Sequence, residues 1–152
     1  MTADSHPAAW EISATADFNG DGKADILWRN TGTGDLYITH MDGMAVKTEV
    51  WIYNEADTSW HILGASDFFA EETPEIIWYK VQTGEVDIMH RNAGTTADWW
   101  YYREADLDWS IVGTGDFTSN TKADLLWYHA KQRVLYGMDT QDSTTSLFSI
   151  QL

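Results

Sequence analysis

WEISATADFNGDGKADILWRN at residues 10–30 returns as WHILGASDFFAEETPEIIWYK at 60–80 and as WSIVGTGDFTSNTKADLLWYH at 109–129, and the three align without a gap. The step from Trp10 to Trp60 is 50 residues and that from Trp60 to Trp109 is 49. A fixed period of this length marks an array of one structural unit, each copy relying on its neighbours to cover its apolar faces. The repeats run over about 10–59, 60–108 and 109–152, and residues 1–152 read as one domain built from them. Six of the nine Trp fall into two columns, Trp10, Trp60, Trp109 and Trp28, Trp78, Trp127, which are the expected packing positions between units.

Within a unit the signals are those of strands. Short runs rich in Ile, Val, Trp and Tyr are separated by Gly, Asn, Asp and Thr, and no helical periodicity persists over ten residues. The first unit holds four runs, about Glu11 to Ala16, Ile26 to Asn30, Leu36 to Met41 and Val46 to Tyr53, divided by turns at NGDG, TGTGD and MDGM. Four strands in about 50 residues match one blade of a β-propeller, so the chain is expected to be all-β with three such blades.

Composition removes several functions. Nine Lys and Arg against 24 Asp and Glu give a net charge of -15, which repels nucleic acid and anionic lipid surfaces. No apolar run approaches the roughly 20 residues of a membrane span, and the opening MTADSHPAAWEIS has neither a basic patch nor an apolar stretch, so no export signal is expected in this chain. Without cysteine there are no disulfides, thiolate metal sites or cysteine nucleophile.

The loop DFNGDGKAD carries one clear chemical pattern. Asp17, Asn19, Asp21 and Asp25 stand at positions 1, 3, 5 and 9, with Gly22 at position 6 and the Lys23 carbonyl at position 7. This all-oxygen set suits a hard cation, and calcium is the expected cofactor. The second unit has Phe69, Glu72 and Pro74 at positions 3, 6 and 8, so no metal is expected there. The third keeps Asp116, Thr118, Asn120 and Asp124 in register but replaces the glycine by Thr121, which makes it at most a weak site. No catalytic order of Ser, His and Asp and no phosphate loop can be argued. His40 and His90 are repeat equivalents, and no enzyme activity is expected.

The stretch DFNGDGKADILWRNTGTGDLYITHMDG, residues 17–43, resembles the FG-GAP-like, or VCBS, repeat, although the literal FG and GAP sequences are missing. The resemblance implies a β-propeller, calcium in the loop between the first two strands, and a binding role outside the cell or at its surface. Repeat length and aromatic content are more loosely similar to propeller lectins, which bind sugars between blades. Three blades cannot close a ring that needs four to eight. The expected assembly is therefore a homodimer of six blades, the third blade of each chain against the first of the other.

Antiparallel parity sets calcium and the blade linkers on opposite faces. The linkers repeat as WIYNEAD at 51–57 and WYYREAD at 100–106. A glycan or glycoconjugate needs flat aromatic surface and polar groups for its hydroxyls. The candidate ligand residues are Trp51, Tyr53, Asn54, Glu55 and Asp57 in one linker and Trp100, Tyr102, Arg103, Glu104 and Asp106 in the other. In the competing reading these acids cap the linker backbone and the Trp packs under the blade. The inter-chain junction, built from Leu152 and residues 1–10, lacks Glu-Ala-Asp and keeps only Ala3-Asp4, so four good sites per dimer are expected. Trp99, outside the aligned columns, is a candidate contact residue. The alternative function is a calcium-stabilised adhesion or protein-interaction propeller.

Overall fold

The computed structural model describes residues 9–71, 73–92, 95–141 and 146–152, of which 91–92, 95–101 and 146–147 are described by their backbone alone. Each repeat forms one four-stranded antiparallel sheet with its strands in chain order. The first sheet is β1 (Trp10–Ala16), β2 (Asp25–Asn30), β3 (Asp35–Asp42) and β4 (Ala45–Asn54). The second is β5 (His61–Ser66), β6 (Glu75–Lys80), β7 (Glu85–Asn92) and β8 (Thr95–Arg103), and the third is β9 (Trp109–Gly115), β10 (Asp124–His129), β11 (Val134–Met138) and β12 (Ser146–Gln151). The chain is all-β, and its sheets are consistent with propeller-like blades.

The sheets stack face against face. Phe18, Leu27, Leu36, Ile38 and Ile52 of the first sheet meet Ile76, Trp78 and Met89 of the second in one apolar cluster. On the other side of the second sheet Phe68, Ile77, Tyr79, Val86 and Ile88 meet Leu125, Trp127 and Met138 of the third. The centre of the middle sheet shows the result: Glu75 to Tyr79 on β6 are buried without a break, whereas β2 alternates buried with half-buried residues. A strand covered on both faces reads as a continuous apolar run, IIWY here after the buried Glu75. The first strands of successive sheets lie side by side, and Ser66 Oγ and Thr114 Oγ1 stand 2.7 Å apart between β5 and β9.

The repeat is kept down to irregularities. Each first strand carries a bulge at the same column, skipping Ser13, Leu63 and Val112 in its pairing with the second strand. In the turn between second and third strands Gly34 and Gly84 adopt φ values of +79° and +71°. A Cβ on Gly34 would lie 1.8 Å from the Glu55 carbonyl oxygen, and one on Gly84 would lie 2.0 Å from that of Glu104. Both linkers are therefore seated directly on a glycine, and the Glu55 and Glu104 amides donate to the Gly34 and Gly84 carbonyls at 3.0 and 2.9 Å.

The third sheet departs from this scheme in one place. Gly137 stands where the other sheets have Ile38 and Ile88, and the ring of Phe148, its cross-strand partner on β12, covers it so closely that a Cβ would meet that ring at 2.6 Å. The volume of an isoleucine is supplied from the neighbouring strand.

The outer faces of the first and third sheets have no neighbour among the described residues. Phe117 is 44% exposed, while its equivalents Phe18 and Phe68 are 8% and 0% exposed; Ile150 is 49% exposed, whereas Tyr53 and Tyr102, at the same place in the ladders of the other sheets, pack on the two clusters. At the opposite end Ile12 is 57% exposed, whereas its equivalents Ile62 and Ile111 pack on the two clusters.

Gly84→Ala is expected to lower stability by about 3 kcal/mol, combining a left-handed backbone with a carbonyl in the way. Gly20→Ala, with φ +73° but open space around it, is expected to cost only about 1 kcal/mol. Urea unfolding of the two variants checks the ranking.

Candidate functional site

The β1–β2 loop wraps its amides around its first acid. The Gly22 and Asp21 amides donate to Asp17 Oδ2 and Oδ1 at 2.6 and 3.1 Å, the Asp21 amide also to Asn19 Oδ1 at 2.9 Å, and the Lys23 amide to Asp21 Oδ1 at 3.0 Å. Gly22 has a φ of +81°, which permits the turn that brings alternate residues to one side. Desolvation tends to raise the Asp17 pKa, but the amides of Gly22, Asp21, Gly20 and Asn19 outweigh it and hold the carboxyl below its usual range. Asp25 is fully buried: Oδ2 accepts from the Phe18 amide and His40 Nδ1, and Oδ1 accepts from the Met41 amide. Of the roughly four lone-pair positions of a carboxylate, about one is left. The donor set fits a calcium ion: ionised Asp17, Asn19, Asp21 and the Lys23 carbonyl as principal ligands, with Asp25 anchoring the loop to β2 and β3.

The second loop has exchanged this chemistry for another. His90, buried at the position of His40, lies with Nδ1 2.9 Å from Glu75 Oε1 and Nε2 3.3 Å from Glu71 Oε2, and the Phe69 ring stands edge-on to it at 6.0 Å. Burial pushes the Glu75 carboxyl up, and His90 and the Phe68 amide partly offset this. Glu72 lies outside the described residues.

The third loop keeps the shape of the first despite its sequence. Ser119 and Thr121, at φ +59° and +70°, take the places of Gly20 and Gly22, and the Asn120 and Thr121 amides donate to the two Asp116 oxygens at 3.0 and 2.8 Å. A β-branched residue in the left-handed region is strained. Asp124 is buried with one oxygen lacking a partner, and burial, then the nearby Asp139 and Asp116, push its carboxyl up.

On the opposite face the linkers hold themselves. Glu55 Oε1 accepts the Asp57 amide at 2.8 Å, and Glu104 Oε1 accepts that of Asp106 at 2.9 Å. Asp57 Oδ1 takes the Ser59 amide while Oδ2 pairs with Lys80 Nζ at 2.6 Å. Asp106 repeats this with the Asp108 amide and His129 Nε2, each at 3.1 Å. Asn54 donates to the Thr33 carbonyl and to Asp35, and Arg103 to the Thr83 carbonyl, so both pin turns. Trp51 is an exposed residue on β4 whose indole N–H donates to Asp35 at 3.3 Å, and Tyr53 packs in the first inter-sheet cluster. The side chains of Trp99 and Trp100 lie outside the described residues, as do residues 1–8 of the expected inter-chain junction.

Two of the sequence-expected residues do meet at a cavity. Tyr102 and Glu104 line a cleft of about 190 Å³ between the second and third sheets, together with Trp109, Trp127, Tyr136 and Met138. The rings stand as steep walls, Trp109 against Tyr136 at 65° and Tyr102 against Trp127 at 67°. Tyr102 donates to Glu104 Oε2 at 3.0 Å; burial and then that carboxylate push the phenol up to about 12, so it stays neutral. Trp109 and Trp127 belong to the packing columns, which is why sequence reading assigned them to the core alone. Tyr136 had a signal, since it shares a column with Tyr37 while the second unit has Asp87.

Asp106, Asp108 and His129 also place ligand atoms within 4.8 Å of one another. His129 Nδ1 accepts from the Gln132 amide, which leaves the ring proton on Nε2 facing Asp106, and Lys131 Nζ holds Asp108 at 2.6 Å. His129 and Lys131 thus already engage the two carboxylates from within the chain.

Residues 9–39 match the family model of the FG-GAP repeat. The first unit carries an FG-GAP repeat. The FG-GAP assignment points to a propeller-like interaction or adhesion fold of a kind typical of extracellular proteins. Comparison with curated proteins and with solved structures gives no match. Among the described residues no helix is long and apolar enough to cross a membrane.

The Asp57–Lys80 pair gives a pH signature. Its hydrogen bond to Lys80, and then those from Ser59, lower the Asp57 carboxyl from 3.8 to about 2. A depressed folded-state pKa contributes stability above the unfolded value and loses it as pH falls through the folded one. Asp57→Asn keeps the Ser59 cap and removes the charge. Its melting temperature is expected to fall below wild type at neutral pH, with the gap closing between pH 3.8 and about 2.

Proposed function

We propose that the chain is a non-catalytic carbohydrate-binding propeller, taking a glycan or glycoconjugate at the linker face between blades. The aromatic cleft of Tyr102, Trp109, Trp127 and Tyr136, with the Glu104 carboxylate at its wall, carries this reading. Aromatic surface suits the C–H faces of a sugar ring and Glu104 accepts from its hydroxyls. At about 190 Å³ the cleft has room for a single small ring, the volume of about six waters. In that linker Asp106 takes the Asp108 amide, so its contribution is to hold Tyr102 and Glu104 at the cleft. Three of the histidines are engaged within the fold, His40 with Asp25, His90 with Glu75 and Glu71, and His129 with Asp106.

Calcium is proposed at the first loop as a fastener of β1 to β2, with the third loop as second candidate. There a cation would partner the orphaned Asp124 oxygen and relieve the crowding of Asp116, Asp124 and Asp139. The bound ion would supply positive charge that lets these carboxylates share one centre.

A six-bladed homodimer is proposed from the end faces. The exposed Phe117 and Ile150 of one chain and Ile12 of the other occupy columns that neighbouring sheets cover elsewhere. Burying each such side chain is worth about 1.5–3 kcal/mol. A strap points the same way: Arg29 donates to the Trp60 carbonyl and Tyr79 to that of Trp109 at 3.4 Å. Tyr128 stands next in that column to reach Trp10 of a partner. An extracellular or cell-surface setting is proposed with the FG-GAP repeat. The second reading, a calcium-stabilised adhesion module for a protein ligand, is favoured by that same match.

A glycan array printed at high density separates the two readings: binding to defined glycans is expected, and silence across the array rejects the lectin. Light scattering is expected to give twice 17.3 kDa with or without calcium. Calorimetry in chelator-stripped protein should show calcium heat that falls in Asp21→Ala. A monodisperse monomer rejects the ring, and absence of heat rejects the metal site.

A further inference from the structure

The two junctions between sheets differ in one respect that the repeat makes legible. At the first, each Trp has a cation of this chain over its ring: the Arg29 guanidinium lies 4.9 Å from the Trp78 centroid and Lys80 Nζ 5.5 Å from that of Trp60. At the second, the same columns hold neutral groups. Tyr79 stands edge-on to Trp127 at 6.4 Å and His129 edge-on to Trp109 at 4.9 Å. His129 is the neutral Nε2–H form because its Nδ1 accepts from the Gln132 amide.

The linker carboxylates did not change with the cations. Arg29 and Lys80 face the linker acids Glu55 and Asp57 at the first junction, with Glu11 also near Arg29 and Glu85 near Lys80. At the second, Glu104 and Asp106 remain while Arg29 and Lys80 have become Tyr79 and His129, and the nearby Lys131 is held by Asp108. No internal cation stands at this cleft, where Glu104 is the one charged lining residue among the described residues, with steep aromatic walls around it. Ring faces at such angles, with a carboxylate, form a box for a compact cation carried on a ligand.

We infer that the cleft between the second and third sheets binds an organic ammonium group, taking the place that Arg29 and Lys80 fill at the first junction. The carrier rests on the glycan reading: it is a sugar bearing a free, protonated amine, a non-acetylated hexosamine. An N-acetylated or acidic sugar lacks the charge or carries the wrong one for a chain of net charge -15. Tyr102, donating to Glu104 Oε2, fixes that carboxylate at the cleft wall.

Titration calorimetry on the full chain at fixed ionic strength tests this with three probes: a glucosamine oligosaccharide, its fully N-acetylated counterpart, and choline chloride. The glucosamine oligomer is expected to bind about tenfold tighter than the acetylated one, with choline competing for the same site. Glu104→Gln, which keeps an oxygen for the Asp106 amide, should remove that preference, and Tyr79→Arg, placing a cation where the first junction has Arg29, should block the cleft. Equal affinity for the two oligosaccharides overturns the ammonium assignment and leaves glycan binding standing. Choline binding without either saccharide supports the ammonium site and sinks the glycan reading. No binding by any probe, or tight glucosamine binding that survives both variants, rejects the inference.

Discussion

A four-stranded sheet has two faces and no interior, and everything in this chain follows from how those faces are covered. The middle sheet, with a neighbour on each side, buries every residue from Glu75 to Tyr79. The outer sheets bury one face each and present the other. Cohesion therefore resides between the repeats, in two apolar clusters stitched by Arg29 and Tyr79 reaching to the next first strand. Such an architecture is close to one-dimensional, each unit answering only to its neighbours.

That independence frees the loops and junctions to diverge while the strands stay alike. One column of loop residues holds the expected cation ligands in the first unit, a buried histidine between two glutamates in the second, and a strained turn around an orphaned carboxylate in the third. All three devices tie β-strands together where acids crowd. The junctions diverge in the same manner, filled by internal cations in one case and left open in the other.

The architecture was legible because its signals are local and occur three times: the Trp columns, the turn glycines and the alternating runs reproduce the strand limits of the first unit to within one or two residues. Function was less legible because it depends on what lies across a junction. The linker motif was visible, but not that all four of its acids also accept from their own backbone, Glu55, Asp57, Glu104 and Asp106 alike. Trp109 and Trp127 pack and line a cleft at once, a double role that periodicity cannot distinguish. Thr121 argued against the loop shape of the first unit, but the amides gathered by Asp116 impose that shape on a residue that disfavours it.

The pairing of Gly137 with Phe148 bears on how such arrays change over generations. Repeats of similar sequence recombine, and a crossover is tolerated when every side chain meets the neighbour it was selected with. A hybrid that joined β7 of the second unit to β12 of the third would set Ile88 beneath the Phe148 ring, which in the present fold lies over bare backbone. The third unit thus carries a private lock between its last two strands. Its β11 and β12 must be inherited together, and the array is less freely shuffled than its periodicity suggests.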